Sequence, residues 1–127
     1  MPSRRRSRDW PTHFPSGCPP VDAAPLLGYI FRLHRDETDC LSAKQRNVFV
    51  DAPECVRSAL SCYLDVRDLV EFQKRNRGRY GRHMVVCALL GPGHGFIKLV
   101  NPSKNTHSSV WLKRKHLWRY ACLFSAT

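Results

Sequence analysis

The chain has 127 residues, 43% of them hydrophobic and 24% charged, which suits one globular domain with a modest core and excludes disordered or collagenous composition. Its apolar runs, such as Met84–Leu90, are far shorter than the roughly 20 residues of a membrane-crossing helix, so no membrane partner is expected. Lys and Arg number 21 against 10 Asp and Glu, a net charge of +11, which excludes indifference to polyanions.

In chain order, residues 1–20 read as a flexible basic arm, with Arg4, Arg5, Arg6 and Arg8 followed by Pro11, Pro15, Pro19 and Pro20. The prolines interrupt any secretory-type apolar stretch, and a transit peptide is the weaker alternative. Residues 21–127 then form one domain. Residues 29–34 are bulky and carry an interleaved Arg32, the pattern of a first strand. Residues 35–46 are a polar loop, and Val48, Phe49 and Val50 form a short strand candidate. Two readings stay open next. Asp51 and Pro53 start a helix whose apolar face is Val56, Ala59, Leu60 and Tyr63, or residues 59–64 are a strand and Asp65 caps the helix that follows. Leu69, Val70 and Phe72 give that later helix its apolar face, and the basic run 74–82 ends it.

Residues 83–90 and 96–100 read as a hairpin around Gly91-Pro92-Gly93-His94-Gly95, with Pro102 stopping the second strand. Trp118, Tyr120, Cys122 and Phe124 alternate with Arg119, Ala121 and Leu123, as in a closing strand with one buried aromatic face. The expected class is α+β: a small, mostly antiparallel sheet with one or two helices and a basic N-terminal arm.

Charge is unevenly distributed. Residues 1–71 balance 10 cations against 10 carboxylates, whereas no Asp or Glu follows Glu71. Beyond it lie Lys74, Arg75, Arg77, Arg79, Arg82, Lys98, Lys104, Lys113, Arg114, Lys115 and Arg119. A one-sign half points to a polyanion, and nucleic acid is the expected partner, RNA ahead of DNA, with an acidic protein second. Trp111, amid these cations, is the candidate for stacking on a base. Residues 94–109 hold His94, Lys98 and His107, the groups that metal-free RNA cleavage needs: a base, an acid and a cation at phosphorus. This makes a nuclease the alternative to a binder. The six cysteines are irregularly spaced without a C-x-x-C pair, so mostly free thiols, no metal or other cofactor and a cytoplasmic location are expected.

Three sets of residues carry resemblances. Cys55, near a predicted helix start, His83 opening a strand and Asn101 with Pro102 follow the Cys, His, Asn order of papain-like cysteine peptidases. That resemblance implies a thiol hydrolase, although Cys55 lacks the family's flanking signature. The run Phe14-Pro15-Ser16-Gly17-Cys18-Pro19-Pro20, with Asp22, Ala23, Pro25 and Phe31-Arg32-Leu33, resembles the opening of a group of small bacterial proteins of uncharacterised activity. His94-Gly95-Phe96-Ile97-Lys98 and Pro102-Ser103-Lys104 fit the same pattern. It implies a strand at 59–64 and function in the 94–104 segment. An Arg on a first strand and a Ser on a second faintly resemble ADP-ribosyltransferases, which need a late Glu that this chain lacks.

Overall fold

The computed structural model describes residues 9–36, 39, 42, 44, 45, 50–117 and 120–126. Strand β1 is Ala24–Pro25, β2 Gly28–His34, β3 Leu60–Tyr63, β4 Met84–Leu90, β5 Gly95–Leu99, β6 His107–Leu112 and β7 Ser125–Ala126. Helices are α1 Glu54–Arg57, α2 Val66–Arg75, α3 Arg77–Tyr80, α4 Arg114–Leu117 and α5 Tyr120–Leu123. The strands form one antiparallel sheet in the order β1-β5-β6-β3-β2-β4-β7. The class is α+β, as expected, with more helical segments than the one or two foreseen. Among the described residues only α2, with ten residues, is longer than a single turn. Among the described residues no helix is long and apolar enough to cross a membrane.

The expected hairpin does not form. β4 pairs with β2 and β7, while β5 pairs with β1 and β6. β1 and β2 are nearly consecutive, so the chain bends at Leu26 and Leu27 and passes from one partner to the other. Pro25 lies opposite Phe96, Gly28 lies opposite Leu90, and the Leu26 N–H donates to the Gly95 carbonyl at 3.0 Å. The sheet therefore curls back on itself at this corner, and the glycine-rich turn joins its two ends. A glycine and proline cluster specifies that the chain turns; which strands pair is settled by the faces they bury.

Inside the curl, Leu26, Ile30, Leu60, Cys62, Val86, Ala88, Leu90, Val110 and Leu112 pack against Tyr120 and Phe124. Their period of two along each strand is what one buried sheet face requires. Tyr120 and Phe124 meet because they stand four apart on a helical turn, with ring centroids 4.5 Å apart. The closing strand expected there is reduced to β7, and Trp118 and Arg119 lie outside the described residues. Both readings of 51–64 are partly realised: α1 is short, with Pro53 rather than Asp51 at its N-cap position. β3 follows at once, and Asp65 caps α2 by accepting from the Arg67 N–H at 2.8 Å. Val50 sits in a turn rather than a strand, and residues 48 and 49 lie outside the described residues.

From Trp10 onward the stretch expected as a free arm is packed. Trp10 and Cys18 are buried with Ala59 and Trp111, and Phe14 and Phe96 pack beside them. A Cys18–Cys55 disulfide fastens this layer, an exception to the mostly free thiols expected. Of the other described cysteines, Cys62 and Cys87 are free.

Candidate functional site

The sheet's outer face carries a cleft of about 690 Å³, within the range of small-ligand sites. Its floor comes from β2, β3 and β6. Ser61 lies opposite Ser109, and Tyr63 is flanked by Phe31 and His107. Alternation places Leu33, Ser61, Tyr63, His107 and Ser109 on this outer face, because their neighbours Cys62, Ser108 and Val110 point into the core. One wall is α2 and α3. Leu69 is buried against Leu33 and Tyr63, and Phe72 stands 6.0 Å from the Tyr63 ring and 5.3 Å from Tyr80. Gln73 ties the wall to the following turn, its amide donating to the carbonyls of Tyr80 and His83 at 2.8 and 2.9 Å. The opposite wall includes Ala52, Val56 and Arg57, and the 100–105 loop closes one end.

Ser61 Oγ lies 2.6 Å from His107 Nε2, a diagonal pair across β3 and β6. The His107 ring stacks on Tyr63 at 5.0 Å. Burial, and then the nearby Lys104 charge, hold its pKa below the ordinary 6.5, so the ring is neutral at pH 7 and able to accept a proton. The backbone beside it is anchored. The His107 N–H donates to Asn105 Oδ1 at 3.0 Å, and Asp68 accepts from the Thr106 N–H at 2.9 Å and its hydroxyl at 2.7 Å. That hydroxyl in turn accepts from the Asp65 N–H at 2.9 Å, which fixes the start of α2 to the start of β6.

The cleft is electropositive. Arg57, Arg75 and Lys104 line it with His83 and His107, against one carboxylate, Asp39, among its described lining residues. Arg75, Lys74, Arg77, Arg79 and Arg82 are all exposed along the end of α2, α3 and the turn after it. They form a ridge beside the cleft, and the Arg79 guanidinium lies 5.4 Å from the centre of the Tyr80 ring. The His83 ring meets Tyr80 edge-on at 5.0 Å, and its buried Nδ1 has no hydrogen-bond partner.

The other expected residues are dispersed. His94 and His107 stand at opposite ends of the β5–β6 ladder: the Lys113 N–H donates to the His94 carbonyl, and the Val100 N–H donates to that of His107. Six residues of strand separate them, about 20 Å, so they do not act on one phosphate. His94 instead accepts from the Gly91 N–H at 3.0 Å and packs on His116 at 4.4 Å. Lys98 pairs with Asp22 at 2.7 Å, a contact that lowers the Asp22 pKa. The two-histidine nuclease grouping is therefore not assembled.

The thiol grouping fails as well. Cys55 is bonded to Cys18 and offers no thiolate, and Asn101 accepts from the Ser103 hydroxyl at 2.9 Å. Cys62, the buried thiol, is pushed up by burial to about 11 and is unreactive. Trp111 is 1% exposed and donates Nε1–H to the Cys55 carbonyl at 2.9 Å, so no base stacks on it. Lys113, Arg114 and Lys115 lie beside the His94 end, away from the cleft, and Arg119 is outside the described residues.

Sequence reasoning missed Ser61, Tyr63, Phe72 and Tyr80. The alternation of Leu60 and Cys62 around Ser61 marks it as facing outward, but its partner is 46 residues away. Among the described residues no three His, Cys, Asp or Glu side chains are grouped to hold a metal ion. No protein-family model, curated protein or solved structure matches the chain.

Proposed function

We propose that the protein binds single-stranded nucleic acid, RNA ahead of DNA, along the ridge of residues 74–82 and into the adjoining cleft. The observation that carries this reading is the union of half-buried aromatic side chains, Phe72 and Tyr80, with a cationic rim. Unpaired bases stack on such rings while the phosphates meet Lys and Arg. A 2′-hydroxyl adds a donor and an acceptor to a cleft that offers Ser109 and Asn105. This moves the aromatic contact expected of Trp111 onto α2 and α3.

Six exposed cations border the site: Lys74, Arg75, Arg77, Arg79, Arg82 and Lys104. With one phosphate each, log affinity falls against log salt with a slope of about −4 for a single strand. Fluorescence anisotropy with unrelated RNA and DNA oligonucleotides over a salt series measures it. Arg77→Gln/Arg79→Gln/Arg82→Gln then reduces the slope by about 2. Absence of binding at low salt, or a flat salt response, overturns the proposal. An acidic peptide that binds equally well replaces nucleic acid by an acidic protein. A cytoplasmic location has no support here, because a disulfide such as Cys18–Cys55 belongs to oxidising compartments.

A further inference from the structure

We propose that Ser61 and His107 form a nucleophile and general-base pair that hydrolyses carboxylic esters bearing a negative charge. This reading does not rest on nucleic-acid binding, although both use the same cleft. Ser61 is exposed at the floor of the cleft, and its Oγ lies 2.6 Å from Nε2 of a half-buried imidazole. The imidazole stacks on the Tyr63 ring, and the backbone that carries it is anchored, Asn105 accepting from the His107 N–H and Asp68 from the N–H of the preceding Thr106. A serine hydroxyl is a weak nucleophile alone and is activated by an adjacent base in this arrangement. The pair opens into a cleft large enough for a substrate, where a purely structural hydrogen bond needs no such access. Lys104, whose charge acts on His107, is the cation available to a developing oxyanion, and Arg75 is a second cation on the lining. Phe72 and Val56 give the apolar surface for the rest of the molecule.

The step balances with water as the second reactant. His107 Nε2 takes the Ser61 hydroxyl proton as Oγ bonds to the ester carbon, and the carbonyl oxygen becomes an oxyanion. Collapse breaks the carbon–oxygen bond to the alcohol, which leaves with the proton from His107. Water, deprotonated by the same nitrogen, then attacks the acyl-serine, and its collapse frees the acid and returns the proton to Ser61.

The test treats the intact protein with a fluorophosphonate, which loses fluoride to an activated serine, and locates the adduct by peptide mass spectrometry. Near-stoichiometric modification of Ser61 is expected, slowed about 10²- to 10⁴-fold in His107→Gln. Hydrolysis of the 4-nitrophenyl monoester of succinate is expected to exceed that of 4-nitrophenyl butyrate; Lys104→Gln slows both, and Arg75→Gln removes the preference. No adduct at Ser61 in the native protein, or an equal rate in His107→Gln, overturns the proposal. The labelling reads the unaltered chain, so it does not depend on a variant folding. Oligonucleotide binding is scored separately, so either reading can fail without the other.

Discussion

Replacing both cysteines of the Cys18–Cys55 bridge by alanine removes a cross-link between residues 37 apart. In the chain-entropy description a closed loop of that length costs the unfolded ensemble about 4 kcal/mol at 25 °C. Cys18 is 2% exposed, so the alanine also leaves a small packing defect. Against a typical domain stability of about 5–15 kcal/mol the loss is large. What it loosens is local: the layer of Trp10, Phe14 and Cys18 over Trp111 and Ala59. The His13 carbonyl within that layer also accepts from Lys44 Nζ at 2.6 Å. Urea unfolding followed by tryptophan fluorescence reads this layer through Trp10 and Trp111. The double variant should unfold at markedly lower urea with a somewhat steeper slope, because its unfolded chain exposes more surface, and dithiothreitol should destabilise the parent chain but not the variant. A loss below about 1 kcal/mol, or an equal effect of reductant on both, refutes the cross-link as the fastening of residues 9–20.

Trp111→Phe removes the donor to the Cys55 carbonyl and should cost about 1 kcal/mol by urea unfolding, with oligonucleotide affinity unchanged. Asp68→Ala leaves the Thr106 N–H without its acceptor and should cost about 1–3 kcal/mol; NMR should show the His107 ring resonances shifted. His107 and His13 both have lowered pKa values, burial being the first cause in each. The unfolded chain therefore takes up more protons below the ordinary 6.5, and their contribution is full above that pH and lost as pH falls through the folded values. Unfolding free energy measured from pH 8 to 5 should decline below about 6.5, and His107→Gln should make the decline shallower.

The parts of this architecture legible in the sequence are those fixed by local chemistry. The apolar run Met84–Leu90 is a strand, as its composition predicts, and Asp65 is a helix cap both by spacing and by its bond to the Arg67 N–H. What escaped is pairing over distance. The glycine-rich turn at 91–95 signals a reversal but not that β4 and β5 seek different neighbours, because that choice rests on the bend at Leu26 and Leu27. Trp111 sits among cations in the sequence, yet strand alternation turns it beneath Trp10 and Cys18, whose burial no local pattern discloses. The cysteines gave no framework, since an even count leaves connectivity open. His107 stands out in the sequence as a candidate base but Ser61 does not, and only the register of β3 on β6 makes them a pair.

Helix α2 connects the two properties of the cleft. Asp68 lies in its first turn, and Lys74 and Arg75 lie in its last, the order that its macrodipole favours. The acidic end fixes Thr106, and with it the start of the strand that presents His107. The cationic end supplies Arg75 to the cleft and continues into the ridge. Ten helical residues span about 15 Å, so one rigid element sets how far the cations stand from the imidazole anchor. Charge placement and base placement are thus not independent surface features. A substitution that frees the start of α2 from Thr106 disturbs His107 and tilts the wall that carries Phe72 and Arg75. A substitution on the exposed ridge beyond Arg75 removes charge and leaves the Ser61–His107 geometry in place.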